Sequence, residues 1–457
     1  MISKISRRQL LKLGALAAGG LLASCAPKVV EVTKVVEKVV KETVVVEKAA
    51  AVPTAAPFVL ELWSWGPMNP DNEPTKLYHD TMKKRFKDKY PLGDFKFRDM
   101  GWDEVLRQNL VTALLGGTPP DIIVGENFIQ PYAEIGAFLP FDDVVADIKD
   151  NLIPGTYAAA VVKGKMYGVS YMTACFGFER NPNVIEKAGL DPDKPPETWS
   201  QLLEQAAAIT KAGNGEYYGY TLQGPVGFLI GGILRFAVYH KVAKAEICKN
   251  DCTYPWYDNP GSERVLTFLR DLHKYTPPGL SFNPDEGQVY TQLFKGVSAY
   301  QICGAWHVKW AQDSGLTNAK YSWIPIPDQD GVKATGVVGN VILSVMSGTK
   351  QPQAALDLCK MALEDDIQDM IVTHQKWYPS TRSALKRWND STANEAEKMF
   401  IDMLLNADLG VLPQWRKEPN KLWTVYNDLI TKLLQTNEPV KNLMAEAQQQ
   451  ADQIMQS

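Results

Sequence analysis

Aromatic side chains are this chain's most evident means of handling a small molecule: its 457 residues include 12 Trp and 18 Tyr. An aromatic face takes up the apolar C–H face of a sugar-like ring, while amides, carboxylates and hydroxyls bond in the plane of its substituents. Trp63 and Trp65 end an apolar, β-prone run that starts at Phe58. They have the same strand parity and so share one face, either lining a cleft or packing in a core. Trp306 directly follows Gly304 and Ala305, small residues that leave room for a ring to lie against the backbone. Trp415 and Trp423 are further aromatic candidates.

Catalytic patterns are sparse by comparison. The five His, at 79, 240, 273, 307 and 374, are scattered without metal-ligand spacing, and there is no GxSxG, P-loop or GxGxxG. No cofactor and no metal is expected, and the chain reads as a binder rather than an enzyme. Carboxylates are plentiful enough for a glycosidase pair, so a glycan-processing hydrolase stays open as the alternative, as does a binder of a non-sugar solute. Asp142-Asp143 and Asp365-Asp366 read as turn and helix-end residues. The formal net charge is −4, and residues 58–457 hold 39 basic against 48 acidic side chains. An acidic body without a basic stripe argues against nucleic acid and suits a neutral or cationic solute.

The first 25 residues read as an address rather than as fold. Lys4, Arg7, Arg8 and Lys12 precede an apolar stretch from Leu13 to Leu22 and a lone Cys25. Ser6-Arg7-Arg8-Gln9-Leu10-Leu11-Lys12 resembles a twin-arginine export signal, and Leu22-Ala23-Ser24-Cys25 resembles a lipobox. Cys25 would then take the lipid and tie the protein to the cell membrane from outside the cytoplasm. Residues 26–57 form a low-complexity tether, valine-rich and then Ala/Pro-rich, whose β-branched content favours an extended spacer over a coiled coil. Among the other cysteines, Cys175, Cys303 and Cys359 lie in apolar surroundings and read as buried thiols. Cys248 and Cys252 flank the polar Lys-Asn-Asp and are expected to pair as a disulfide in an exported protein.

From Phe58 the pattern alternates. Strands are expected at 58–65, 94–98 and 121–124 with helices at 72–90 and 103–116 between them, a βαβαβ order that implies a largely parallel sheet. A second series starts near residue 175. It has a helix opened by a Thr198/Gln201 capping box and closed by Gly213, a helix behind Ser262, and strands at 297–303 and near 321–326. A strand at 341–346 and helices at 350–363, 393–406, 420–435 and 439–455 complete the chain.

Several blocks together resemble one family, the extracellular solute-binding proteins of sugar ABC importers. They are LLGGTPPDIIVG (114–125), FLPFDD (138–143), the long GKMYGVSYMTACFGFERNPNVIEKAGL…TWSQLL block (164–203), LFKGVSAYQICGAWHVKW (293–310), the strand and helix of 323–363, and YPSTRSAL (378–385). Ser170 replaces the usual Pro, and Arg180-Asn181 replaces Tyr-Asn. The resemblance implies an α/β, two-lobed periplasmic-binding-protein clamp, each lobe a mostly parallel sheet flanked by helices, plus C-terminal helices. Lobe 1 would comprise 58–172 with 341–377, and lobe 2 would comprise 173–340 with 378–457. It also implies that the loop holding Glu126 and Asn127 faces the ligand. Tyr171 and Thr173, Gly339 and Asn340, and Trp377 and Arg382 would flank the three crossings between lobes. The function implied is capture of a carbohydrate and delivery to the permease subunits of an importer, by a monomer.

Overall fold

The computed structural model describes residues 56–64, 73–101, 103–125, 129–224, 231–249, 252–283, 285–335, 339–375, 377–407, 409 and 418–456. In chain order the strands are β1 (Phe58–Ser64), β2 (Gly93–Asp99), β3 (Ile122–Gly125), β4 (Val169–Ala174), β5 (Phe176–Arg180), β6 (Tyr218–Tyr220), β7 (Ser298–Gly304), β8 (Lys320–Ser322), β9 (Gly339–Val345) and β10 (Tyr378–Pro379). The main helices are α1 (Glu73–Lys89), α2 (Asp103–Leu115), α3 (Trp199–Gly213), α4 (Gly231–Val242), α5 (Pro260–His273), α6 (Glu286–Phe294), α7 (His307–Asp313), α8 (Pro352–Met361), α9 (Arg382–Ser391), α10 (Glu395–Asn406), α11 (Pro419–Gln435) and α12 (Val440–Gln456).

Two sheets organise the molecule, one of six strands in the order β10-β4-β9-β3-β1-β2 and one of four in the order β8-β5-β7-β6. The first is covered on both faces. Ile122 and Val124 of β3 point into one core, with Tyr78, Met82 and Phe86 of α1 at four-residue spacing. Ile123 points into the other, with Leu106 and Leu110 of α2. The second sheet buries Phe178, Tyr300 and Ile302 beneath α3, α4, α5, α11 and α12, the largest core in the molecule.

The sheets are mixed, which corrects the expectation of mostly parallel ones. β1 runs parallel to β2 and β3, but β9 is antiparallel to β3 and β4, and β10 to β4. In the second sheet only β6 and β7 are parallel, while β5 is antiparallel to β7 and β8. The cause is the crossing itself. β4 leaves the first sheet and β9 returns to it, so these neighbours must run oppositely.

Local signals account for several helix ends. Thr198 caps α3, accepting from Gln201 N at 3.4 Å, while the Gln201 side chain reaches back to Glu197 N at 2.8 Å. The left-handed residue ending α3 is Asn214, with φ 43°, rather than Gly213. α5 starts two residues before Ser262 because Asn259 accepts from Ser262 N at 2.9 Å and Pro260 occupies the first turn. Cys248 and Cys252 are joined by a disulfide with their Cα atoms 4.9 Å apart. Cys175, Cys303 and Cys359 are buried free thiols.

Candidate functional site

The two sheets meet where β4 becomes β5, with only Cys175 between them. β7 ends against that junction. Gly304 pairs with Phe176, and Ala305 N donates to Cys175 O at 3.1 Å. Behind the junction Leu385 of α9 and Phe400, Ile401, Met403 and Leu404 of α10 close a separate core that also takes in Ala174, Cys175, Cys303 and Tyr378. Burial pushes the thiols of Cys175 and Cys303 above the ordinary cysteine range, so they sit there as inert apolar groups.

Onto this junction the fold places an aromatic platform. Trp306, half-buried, follows β7 and opens into α7. Its indole lies over Gly304, where a Cβ would overlap the ring. Trp377, half-buried just before β10, stacks on it with centroids 5.4 Å apart and planes 20° from parallel. Phe176 meets Trp306 edge-on at 5.8 Å. Trp310, one turn along α7, lies 6.5 Å from Trp306 and is 44% exposed. Two of the expected plates, separated by 71 positions in the chain and anchored on different sheets, are thus brought into direct contact.

Other expected residues are placed differently. Trp63 belongs to the core beneath α2, 4% exposed, with its Nε1–H donated to Glu61 Oε1 at 2.6 Å. Its cleft reading gives way to the packing one because β1 is covered on that face. Tyr171 is likewise a core residue, stacked on Tyr78 at 6.4 Å, and burial raises its hydroxyl well above the usual tyrosine range. Thr173 is fully buried in β4. Gly339 and Asn340 open β9 and pair with Ala174 and Thr173, so one side of their backbone is taken by the ladder. Arg382 donates from Nη1 to Leu405 O at 3.4 Å, near the end of α10. Trp423 packs in the core of the second sheet. Trp65, Glu126, Asn127 and Trp415 lie outside the described residues, as does Cys25.

A cavity of about 290 Å³ runs along a neighbouring face of α7, between Val308 and Lys309 on one side and Thr373, Tyr378, Trp388 and Glu397 on the other. Tyr378 and Trp388 have centroids 4.5 Å apart there, and the Tyr378 hydroxyl is buried without a hydrogen-bond partner among the described residues. Sequence reasoning missed these residues. Trp388 lies on α9 in the tail where the motifs had run out, and its place at the junction depends on how that helix docks.

Comparison with known proteins adds the context of this geometry. A family model described as bacterial extracellular solute-binding protein matches residues 73–369. A putative binding protein of Brucella abortus (strain 2308) is 26% identical over 356 residues, which span 75% of this chain and 82% of that protein. Among solved structures, a Thermotoga lettingae ABC-transporter solute-binding protein bound with alpha-D-tagatose superposes with TM-score 0.72 at 20% identity, covering 87% of this chain and 99% of its own. The sugar-binding protein MalE from Xanthomonas citri gives TM-score 0.71 at 18% identity, with 87% and 98% covered. UgpB from Mycobacterium tuberculosis, in complex with glycerophosphocholine, gives 0.72 at 14% identity, with 88% and 99% covered.

Proposed function

The chain belongs to the bacterial extracellular solute-binding proteins, and from that premise we propose that its solute is a carbohydrate, gripped between two lobes and passed unaltered to the permease of an ABC importer. The observation that carries this reading is the Trp306–Trp377 stack. A pair of half-buried indoles where two sheets meet offers a broad apolar face to a pyranose ring, and neither ring serves an interior core in full. Lobe 1 is read as 58–172 with 341–377 and lobe 2 as 173–340 with 378–457, except that β10 (Tyr378–Pro379) pairs with β4 in the six-stranded sheet. Glu126 and Asn127 would bond the solute's hydroxyls from the lobe 1 side. The tagatose bound to the Thermotoga lettingae protein and the description of MalE as sugar-binding support the choice of solute class.

The same reading extends to placement. Export by the twin-arginine route and lipidation at Cys25 would leave a monomeric receptor tethered by residues 26–57 outside the cytoplasmic membrane. Cys25→Ser should release it from the membrane fraction or leave the leader uncleaved. An unchanged mature mass together with unchanged membrane partitioning would refute the anchor.

The solute is testable by titration. Maltotriose, mannotriose, tagatose and glycerophosphocholine, added separately, should be ranked by the change in tryptophan emission, with the sugar recovered intact afterwards. A response to glycerophosphocholine alone, or release of shorter sugars, refutes the carbohydrate-capture reading. Micromolar affinity requires only about −8 kcal/mol, within reach of one aromatic stack and a few hydrogen bonds.

A further inference from the structure

His307, the neighbour of Trp306 in the chain, meets a carboxyl group that no solute can reach. Glu179 of β5 is fully buried, and an ionisable group removed from water is costly unless its lone pairs are met. Its Oε2 accepts from Gln301 Nε2 at 2.7 Å and lies 2.9 Å from His307 Nδ1. Its Oε1 accepts from the Tyr321 hydroxyl at 2.9 Å. The same hydroxyl reaches His307 O at 3.4 Å. Burial and the neighbouring Glu179 push the Tyr321 hydroxyl far above its ordinary range, so it remains a donor.

These partners come from β7, β8 and the first residue of α7. His307 is fully buried, enclosed by Tyr290 at 5.0 Å, Phe294 at 5.7 Å and a stacked Trp310 at 5.3 Å. Arg235 lies over the Tyr290 ring at 4.0 Å. A buried polar network is a weak source of stability, since apolar replacements of similar volume are often neutral or better. Its position accounts for it more directly, because Glu179 and Tyr321 both bond His307, the residue joined to Trp306.

We infer that Glu179 is a positioning residue for solute capture. Through His307 and Tyr321 it fixes the side chain and carbonyl of His307, and so holds the adjoining Trp306 indole in the plane that stacks on Trp377 before any solute arrives. The inference rests on Trp306 being the solute's plate.

The test labels the full chain with 5-fluorotryptophan and follows the ¹⁹F resonances of Trp306 and Trp199, each identified by its loss in the Trp→Phe variant. In the solute-free protein Glu179→Ala should shift or broaden the Trp306 line and leave Trp199, in the lobe 2 core, in place. Glu179→Gln keeps an acceptor for Tyr321 and a partner for the other His307 tautomer, and should restore the wild-type line. Tyr321→Phe, which removes one hydroxyl, should produce a smaller shift of the same line and serves if Glu179→Ala does not fold. Kd for maltotriose should rise about tenfold in Glu179→Ala, the scale of one orienting hydrogen bond, and remain near wild type in Glu179→Gln. A Trp306 line that stays put, lines that all move together, or a Gln variant as perturbed as Ala would each overturn the inference. Failure of every sugar to bind the wild type strikes the carbohydrate reading instead and leaves the fluorine result standing.

Discussion

At the scale of single residues, the junction separates side chains that hold the fold from those free to meet a solute. Trp306 keeps part of its surface open and rests on Gly304, so shortening it removes a plate more than it opens a core. Trp306→Ala should cost roughly 1–3 kcal/mol of affinity, the burial value of a large apolar side chain, with a small fall in melting temperature. Trp199→Ala is the contrasting variant. Trp199 is 5% exposed and stacks on Phe268 at 4.1 Å, so about 3–5 kcal/mol of stability should be lost there. If the Trp306 variant melts as early as the Trp199 variant and still binds, Trp306 is a core residue. Gly304→Ala tests the seat of the plate. The new Cβ overlaps the indole, and the ring must tilt or the strand shift, at about 1–3 kcal/mol for such crowding. Calorimetry should show weaker sugar binding in that variant, whereas Gly189→Ala, with no neighbour near its Cβ but the strain of a positive φ that Gly304 lacks, should bind normally. Residue types revealed Trp306, because tryptophan after two small residues is conspicuous, whereas Trp377 was named only through the crossing that the family resemblance implies. They could not separate Trp63 from a cleft residue, since strand parity fixes a shared face but not what covers it.

Elements were the most legible level. The period of 3.6 in α1 and the buried runs of β3 and β9 are local facts, and their bounds match the expected ones to within a few residues. Strand direction was less legible, because antiparallel pairing of β9 follows from a crossing some 170 residues away in the sequence. The C-terminal helices show the same limit. Their apolar stripes were evident, but their docking depends on polar contacts such as His240 of α4 to the Tyr426 hydroxyl of α11, 3.0 Å apart. That contact yields a pH prediction. Burial lowers the His240 pKa from 6.5 to about 3, and His273 is lowered in the same direction by burial. Between those values the unfolded chain binds a proton that the native state refuses, so stability rises with pH. The contribution is fully present above about pH 6.5 and is lost as pH falls toward 3, on the order of a few kcal/mol. Urea midpoints measured from pH 7 to 4 should fall, and less steeply in His240→Gln, which cannot titrate there. An equal slope in both proteins would assign the acid limb to other groups.

Over the whole molecule, what matters is that the two sheets are joined by short crossings and a shared core rather than by an extended linker. β4 and β5 are separated by one residue, and Phe400 and Leu404 of α10 pack against Cys175 and Ala305 within one cluster. Such a junction permits rotation of one lobe against the other while resisting their separation. The platform spans it, with Trp306 on one side and Trp377 on the other, so a solute lying on both indoles favours one relative placement of the lobes. Two measurements should therefore change together. At a solute concentration one hundred times Kd, stability should rise by about 2.7 kcal/mol by mass action alone, raising the melting temperature by several degrees. The radius of gyration from small-angle scattering should shrink over the same titration, since closure moves mass toward the junction. Trp377→Ala separates the two effects. It keeps the lobe 2 plate and removes its counterpart, so residual binding should still raise the melting temperature while the contraction becomes smaller. If the wild-type protein is stabilised by the sugar without any contraction, the solute sits on one lobe alone and the clamp reading fails, whatever the affinity.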